Sequence, residues 1–132
     1  MRVLVDTNVI IDHLRGIPEA TAYLRNIQNG ELSGVLSVVS ITELFAAPQM
    51  TKEDVRTIEE VLQLFDKVVE VDPTIARTAG ELLAAHHKSS SLDPVDALIA
   101  STAIHSDALL VTRNEKHFKP ISGLIVINPL QD

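Results

Sequence analysis

Three acidic residues are predicted to lie at one edge of a sheet, so their side chains can do chemistry together. Asp6 ends the first apolar run, Glu43 follows the second, and Asp96 lies in the first turn of a helix that leads to a later strand. The carboxyl ends of parallel strands share one edge of a sheet, where ligands bind. Converging carboxylates raise one another's pKa, and a hard divalent cation such as Mg²⁺ or Mn²⁺ relieves that repulsion. Because such a cation activates water and stabilises charge on a phosphate, the pattern predicts metal-dependent phosphodiester hydrolysis.

Three more polar residues belong to the same predicted edge. Thr112 and Asn114 follow the fourth strand-like run, and Asp93 precedes Asp96 by one helical turn. Asp93 is followed by Pro, which is typical of a helix N-cap, so it serves as a cap, as a ligand or as both. We expect Asn114 in the pocket and Asp93 chiefly as a cap. Glu43 has an alternative role as the acid of a Ser-x-x-Glu capping box that begins at Ser40.

Other titratable residues are interpreted without a chemical role. Six acids are expected to be solvated charges on helix and strand faces, namely Asp12, Glu59, Glu60, Asp66, Glu70 and Glu81. Four histidines have no metal-ligand spacing and are expected on the surface or in loops, namely His86, His87, His105 and His117.

Alternating strands and helices must position these side chains. Strands are predicted over residues 2–6, 35–39, 68–71, 109–112 and 124–127, and their continuous apolar residues favour strands buried on both faces. Helices are predicted to begin at Thr7 or Asn8, at Pro18, at the Ser40 capping box, and in the segments that start at residues 51, 72 and 93, with a turn or short helix over 113–118. Residues 86–91 are predicted to be a mobile loop. Such alternation predicts an α/β layer fold with a mostly parallel sheet.

Two predicted helices, over residues 18–29 and 51–65, are apolar along one side. In the first, Ala22, Tyr23 and Ile27 are predicted to face inward. The exposed edges of both helices can form a groove for an amphipathic partner helix, although core packing explains the same stripes equally well.

The composition describes one globular domain. The chain has 132 residues, a net charge of −7 and no Cys. Without cysteine, a disulfide scaffold, a thiol nucleophile and a thiolate zinc site are excluded. The apolar runs are too short to span a membrane and no leader follows Met1, so we expect a cytoplasmic protein. The acidic balance also argues against a basic surface that coats nucleic acid.

Four short motifs resemble those of PIN-domain proteins. In chain order they are Val3-Leu4-Val5-Asp6-Thr7-Asn8, Ser40-Ile41-Thr42-Glu43, Asp96-Ala97-Leu98-Ile99-Ala100-Ser101 and Leu110-Val111-Thr112-Arg113-Asn114. The resemblance covers residues 2 to 128, and four ordered motifs are far more specific than any one of them. More narrowly, the chain resembles the VapC-type toxins of bacterial and archaeal toxin–antitoxin pairs.

The resemblance implies a three-layer α/β/α sandwich with a five-stranded, mostly parallel sheet, in one domain over residues 1–132. It implies an endoribonuclease that uses Mg²⁺ or Mn²⁺, with Asp6, Glu43 and Asp96 as catalytic residues and metal ligands. Thr112 matches the family's Ser or Thr near the site, and Asn8 matches the residue that orients the first aspartate. An RNA substrate, a cognate antitoxin and a homodimer are also implied.

The chain departs from the family pattern at one acid. Many members have a fourth acid at or just after position 114, where this chain has Asn114-Glu115-Lys116-His117-Phe118. Asn114 or Asp93 is then the candidate for the missing oxygen ligand. Because the net charge is negative, a local positive patch must attract RNA, and the candidates are Arg15, Arg113, Lys116 and Lys119. Solubilising charge explains these four residues equally well.

Other protein classes also have an α/β fold with an acidic pocket. A receiver-like signalling module needs an acidic pair at the first strand, where Asp6 stands alone. A haloacid-type phosphatase needs a second aspartate at position 8, which is Asn8 here. A binding module that keeps the fold without nuclease activity remains the alternative.

Overall fold

The computed structural model describes residues 1–88 and 91–130, and the strands within them form one parallel sheet. The strands are β1 Arg2–Val5, β2 Ser33–Ser37, β3 Lys67–Val69, β4 Leu109–Val111 and β5 Val126–Ile127. Their order is β3-β2-β1-β4-β5, and every neighbouring pair is parallel. The chain order reverses on either side of β1, which puts the residue after β1 at the point of the sheet edge where open α/β sheets bind ligands.

Seven helices lie in the described part of the chain. They are α1 Thr7–Leu14, α2 Pro18–Gln28, α3 Val38–Leu44, α4 Lys52–Leu62, α5 Pro73–His86, α6 Pro94–His105 and α7 Glu115–Phe118. The predicted alternation and the predicted parallel sheet are confirmed. The second strand lies two residues earlier than predicted, because Val38 and Val39 form the first turn of α3. His86 ends α5, and Ser89 and Ser90 of the predicted loop lie outside the described residues.

The sheet separates two apolar cores, which gives the predicted three layers. Alternate residues of β1 point to opposite faces, so Val3 and Val5 pack with α1, α2 and α4, whereas Leu4 packs with α6 and α7. The first core holds Leu24 and Ile27 from α2. Ala22 is exposed, so its predicted inward orientation is wrong: α2 turns Ala20, Leu24 and Ile27 toward the sheet instead.

Several helix starts follow from side-chain caps. Thr51 and Asp54 form a capping box at α4, and Asp72 caps α5, in the two segments where helices are predicted to begin. The capping box predicted at Ser40 is wrong, because the Ser37 hydroxyl accepts from the Val39 N–H at 3.3 Å and the helix begins earlier. Ser40 therefore lies inside α3, and Glu43 lies in its last turn.

The first helix also begins differently from the prediction. Asp6 occupies the N-cap position of α1, in place of Thr7 or Asn8, and its carboxylate makes no capping hydrogen bond. That carboxylate accepts from the Thr112 hydroxyl instead.

A separate close contact lies under α2, where a Cβ atom on Gly34 of β2 would stand 2.7 Å from Ile27. Among the described residues, no helix is long and apolar enough to cross a membrane.

Candidate active site

The three predicted acids line one pocket at the carboxyl edge of the sheet. Asp6 follows β1, Glu43 comes from the end of α3, and Asp96 lies in the first turn of α6. The pocket has a volume of about 240 Å³, and its walls are Asp6, Thr7, Asn8, Ile11, Glu43, Asp93, Asp96, Asn114 and His117. The fold therefore brings together side chains that are up to about a hundred residues apart in the sequence.

Asp6 is the most buried acid of the pocket, with 5% of its surface exposed. Its Oδ2 accepts a hydrogen bond from the Thr112 hydroxyl at 2.8 Å. Burial raises the pKa of Asp6 from 3.8 to about 6, and the negative charges of Asp96 and Glu43 add to that rise, while the Thr112 hydrogen bond opposes it. Ionised Asp6 is thus an unfavourable charge for which a bound cation would compensate.

Thr112 connects three polar residues at the end of β4. Besides donating to Asp6, its Oγ1 accepts from the Asn114 N–H at 3.1 Å and from Asn8 Nδ2 at 3.4 Å. The Asn8 Oδ1 in turn accepts from the Arg113 N–H at 3.2 Å. Asn8 therefore acts on Asp6 through Thr112, and its hydrogen bonds tie α1 to the end of β4.

The Glu43 carboxylate is held by the Thr7 hydroxyl of α1, which also contacts the Ser40 hydroxyl of α3. Thr7 Oγ1 lies 2.6 Å from Glu43 Oε1 and 2.7 Å from the Ser40 hydroxyl. A hydroxyl has one proton to donate, so Thr7 donating to Glu43 while accepting from Ser40 satisfies all three groups. Ser40 is fully buried, and its contact with Thr7 joins α3 to α1 beside Glu43.

Asp93 and Asp96 share the N-terminal turn of α6. Asp93 Oδ1 accepts from the Asp96 N–H at 2.8 Å, so the predicted cap is confirmed. Burial and the nearby Asp93 charge raise the pKa of Asp96. His117 Nδ1 lies 3.4 Å from Asp96 Oδ2 and has no well-formed hydrogen bond within the described residues. His117 thus contacts the site, although the sequence predicted a surface or loop residue.

Comparison with known proteins agrees with this geometry. Residues 3–124 match the family described as the PIN domain. A ribonuclease VapC19 from Mycobacterium tuberculosis is 39% identical over 119 residues, which cover 87% of this chain and 90% of that protein. The chain belongs to the PIN-domain family, in its VapC group.

Two solved structures place this PIN domain among similar folds. A toxin-antitoxin complex from Klebsiella pneumoniae has a chain that is 27% identical, with a TM-score of 0.77 over 96% of this chain and 97% of that chain. VapBC2 from Rickettsia felis, solved bound to a promoter DNA fragment, has a chain with a TM-score of 0.82 and 24% identity, over 97% and 98% of the two chains. The second likeness concerns the fold alone.

The pocket of this PIN domain suits a hard divalent cation by its chemistry. Its donors are carboxylate and amide oxygens, and the pKa values of Asp6 and Asp96 are both raised by burial and by a neighbouring acid. No three His, Asp or Glu side chains in residues 1–88 and 91–130 are grouped closely enough to hold one ion. Mg²⁺ is usually held by one or two carboxylates, several waters and a substrate phosphate, so this spacing fits an ion with few protein ligands.

The four predicted RNA-contacting residues lie in different places. Arg113 and Lys116 line a cleft next to the acidic pocket, together with Asn128. Arg15 lines an apolar groove beside α1 instead. Lys119 lies 3.5 Å from Glu115, one turn away on α7. Arg113 and Lys116 thus line a cleft that adjoins the acidic pocket through Asn114 and His117, whereas Arg15 lines a groove that adjoins the pocket through Ile11 and Glu43.

Sequence reasoning missed two residues near this site. Asp12 was expected to be solvated, but it is 4% exposed and pairs with Arg113 at 3.2 Å. Its position in α1, two turns from Asp6, gave no signal for a partner a hundred residues away. His117 did have a signal, because it follows Asn114 by three residues and so returns to the same side after one turn.

Proposed function

We propose that this PIN domain is an endoribonuclease that depends on Mg²⁺ or Mn²⁺. The observation that carries the proposal is the buried Asp6 carboxylate, whose pKa is raised to about 6 in a pocket that it shares with Asp96 and Glu43. Membership of the VapC group supports RNA as the substrate, since the 39% identical relative is named a ribonuclease.

Each acidic side chain has a distinct part in this proposal. Asp6 and Asp96 would hold the cation, and Glu43 would contribute directly or through a water. A bound cation supplies an activated water for in-line attack on a phosphodiester and neutralises charge on the phosphate. Thr112 keeps Asp6 Oδ2 in place, and Thr7 does the same for Glu43. No side chain needs to act as a covalent nucleophile.

Asn114 and Asp93 are the candidates for further oxygen ligands. Both line the pocket, but the Asp93 carboxylate already accepts a hydrogen bond as the cap of α6. The Asn114 backbone N–H donates to the Thr112 hydroxyl, and this hydrogen bond holds Asn114 at the pocket wall. We therefore assign the additional ligand to Asn114 and the cap to Asp93.

We also propose that the chain is the toxin of a toxin–antitoxin pair. An apolar groove of about 440 Å³ lies between α1, α3 and α4, and its walls include Ile11, Leu14, Leu44, Met50 and Ile58. Such a groove fits the apolar face of an antitoxin helix. Ile11 and Glu43 line both this groove and the acidic pocket, so a bound antitoxin would lie beside the proposed catalytic site.

A homodimer is the proposed assembly of the toxin. Light scattering at micromolar concentration is expected to give twice the chain mass of 14.4 kDa. A monomer at that concentration would contradict the homodimer.

Expression of the chain alone is expected to arrest growth, and co-expression with the protein encoded next to it is expected to restore growth.

RNA cleavage tests the proposed activity. Purified protein is incubated with total RNA in Mg²⁺, in Mn²⁺ or in excess chelator, and new 5′ ends are mapped. We expect discrete ends with either metal and none with chelator. The variants Asp6→Asn and Asp96→Asn are expected to abolish them, whereas Glu70→Gln, which changes an exposed acid outside the pocket, is expected to leave them unchanged.

A binding module without nuclease activity is the second candidate function. The observation that favours it is the absence, in the described residues, of a three-ligand group spaced for one ion. RNA that stays intact at millimolar Mg²⁺ and Mn²⁺, with a folded protein, would favour this second function.

A further inference from the structure

Asp12 is a buried carboxylate outside the acidic pocket. Its side chain is 5% exposed, and its Oδ2 has no hydrogen-bond partner within the described residues. Its Oδ1 lies 3.2 Å from Nη1 of Arg113. Burying a carboxylate with one unpaired oxygen costs stability, and a buried ion pair seldom returns more than that cost. The pair is therefore better explained by what it does to Arg113 than by added stability.

Arg113 is fixed through both its backbone and its side chain. Its backbone N–H donates to Asn8 Oδ1 at 3.2 Å, and its carbonyl accepts from Asn128 Nδ2 at 3.3 Å. Nevertheless, 42% of its side chain is exposed. A guanidinium has five N–H donors, so pairing of Nη1 with Asp12 leaves donors for another ligand.

The position of Arg113 connects it to the proposed catalytic pocket. Arg113 and Lys116 line a cleft of about 200 Å³, and Asn114 and His117 line both this cleft and the acidic pocket. An RNA strand that places one phosphate in the pocket and continues into the cleft would bring a neighbouring phosphate to Arg113. Arg binds phosphate through its planar fork of donors, so its orientation matters as well as its charge.

We propose that Asp12 is a positioning residue that holds the Arg113 guanidinium at the rim of the active site, where it binds an RNA phosphate next to the scissile one. The proposal rests on the proposed nuclease function. Holding a long side chain before binding avoids the entropic cost of ordering it when RNA binds, which corresponds to about a fivefold change in affinity. Because Asp12 also offsets part of the charge on Arg113, its contribution is orientation and not attraction.

The test measures RNA binding and cleavage by the full chain. A labelled single-stranded RNA oligonucleotide is bound in chelator at several salt concentrations, and KM and kcat are measured with Mn²⁺. Arg113→Gln is expected to weaken binding about tenfold and to lower the slope of log affinity against log salt by about 0.7, the value for one phosphate contact. Asp12→Asn is expected to raise KM about fivefold, with kcat within twofold.

A double variant separates positioning from general structural damage. Asp12→Asn is expected to have no further effect on RNA binding once Arg113 is Gln, because its influence passes through the guanidinium. Arg77→Gln is the matched control, since Arg77 is an exposed arginine 3.9 Å from Glu81. Arg77 adjoins Thr78, which contacts His105 at the end of α6 away from the pocket. Binding by this control is expected to stay within twofold of wild type.

Each outcome bears on the positioning proposal, and the failure of the nuclease proposal is visible separately. Suppose that wild type cleaves RNA but Asp12→Asn binds RNA as tightly as wild type or more tightly, or that the effects of Asp12→Asn and Arg113→Gln on affinity add in the double variant. Either result would overturn the positioning proposal and leave the nuclease proposal intact. The predicted binding pattern without cleavage would support the positioning of Arg113 for RNA binding, and it would overturn both the nuclease and the place of this phosphate next to a scissile one. Absence of both binding and cleavage would overturn both. If Asp12→Asn does not fold, Arg113→Gln decides alone, and wild-type affinity in that variant would overturn the proposal.

Discussion

Replacing Asp6 by Asn is expected to stabilise the protein at neutral pH while removing its activity. Asn keeps the shape of the side chain, and its amide oxygen can still accept from Thr112, which now lies 2.8 Å from Oδ2. The substitution removes a charge that burial and two neighbouring acids disfavour. A site built to bind a cation should behave in this way when no cation is present.

The magnitude follows from the pKa shift. A rise from 3.8 to about 6 means that the folded state of wild type loses about 3 kcal/mol of stability as Asp6 ionises. The new amide N–H₂ must find a partner, at a cost of about 1 kcal/mol. The net gain for Asp6→Asn is therefore about 2 kcal/mol at pH 7, or about 8 °C in Tm for a domain of this size.

The stability difference between wild type and Asp6→Asn depends on pH through the protonation of Asp6. Below pH 3.8 Asp6 is protonated in both the folded and the unfolded states, so its charge costs nothing. Between pH 3.8 and about 6 the folded state binds more protons, and the stability of wild type falls as pH rises. Above pH 6 the full penalty is present, so the advantage of Asp6→Asn is expected to appear between pH 4 and 6 and then to stay constant.

Urea unfolding from pH 3.5 to 8, in chelator, measures this difference. Glu70→Gln is the control, because Glu70 is an exposed acid and its replacement is expected to change stability by less than about 0.5 kcal/mol. Adding Mn²⁺ at about 100 times its Kd should stabilise wild type by about 2.7 kcal/mol and Asp6→Asn much less. A variant that is less stable than wild type at pH 7 in chelator would refute the reasoning.

Three further predictions concern the same pocket. In a Mn²⁺ titration, Asp93→Ser is expected to change the affinity less than twofold, because Ser also caps a helix. Asn114→Asp is expected to tighten Mn²⁺ binding about tenfold. Unchanged affinity in both variants would mean that neither residue is a ligand. Thr112→Val is expected to raise the pKa of Asp6 further, so that the loss of Mn²⁺ binding on acidification begins at higher pH than in wild type. Thr112→Ser is expected to keep the wild-type dependence of Mn²⁺ binding on pH. The same dependence in Thr112→Val and wild type would mean that the hydrogen bond does not affect Asp6. Cleavage by water attack is expected to leave 5′-phosphate ends and to persist when the scissile nucleotide is 2′-deoxy, and loss of cleavage on that substrate would indicate attack by the 2′-hydroxyl instead.

The sequence predicted most of the fold because its signals are local. Continuous apolar runs indicated buried parallel strands, and the proline after Asp93 indicated the start of α6. The same local logic failed at α3, where Ser40 and Glu43 have the spacing of a capping box but the preceding Ser37 caps the helix. Propensity alone does not decide between two serines three residues apart, because the choice depends on where β2 leaves the sheet.

The candidate site was predictable in its acids but not in its supporting contacts. Asp6 follows a buried strand at the switch point of the sheet, and this rule needs only the order of elements. The pairing of Asp12 with Arg113 joins residues from α1 and the end of β4, and no spacing along the chain indicates such a contact. Thr7 was expected to begin α1 as its cap, but its hydroxyl contacts Glu43 instead. That contact likewise depends on how α1 packs on α3.

The rate of RNA cleavage as a function of Mn²⁺ concentration tests the central claim most directly. Wild type, Asp6→Asn and Glu70→Gln are compared on one labelled RNA, with chelator added midway and excess Mn²⁺ added afterwards. Wild type and Glu70→Gln should cleave with the same saturating dependence on Mn²⁺, stop with chelator and resume with metal, while Asp6→Asn stays at least about a hundredfold slower at every concentration. Cleavage that continues in chelator, or that Asp6→Asn carries out at the wild-type rate, would contradict a metal-dependent nuclease centred on Asp6.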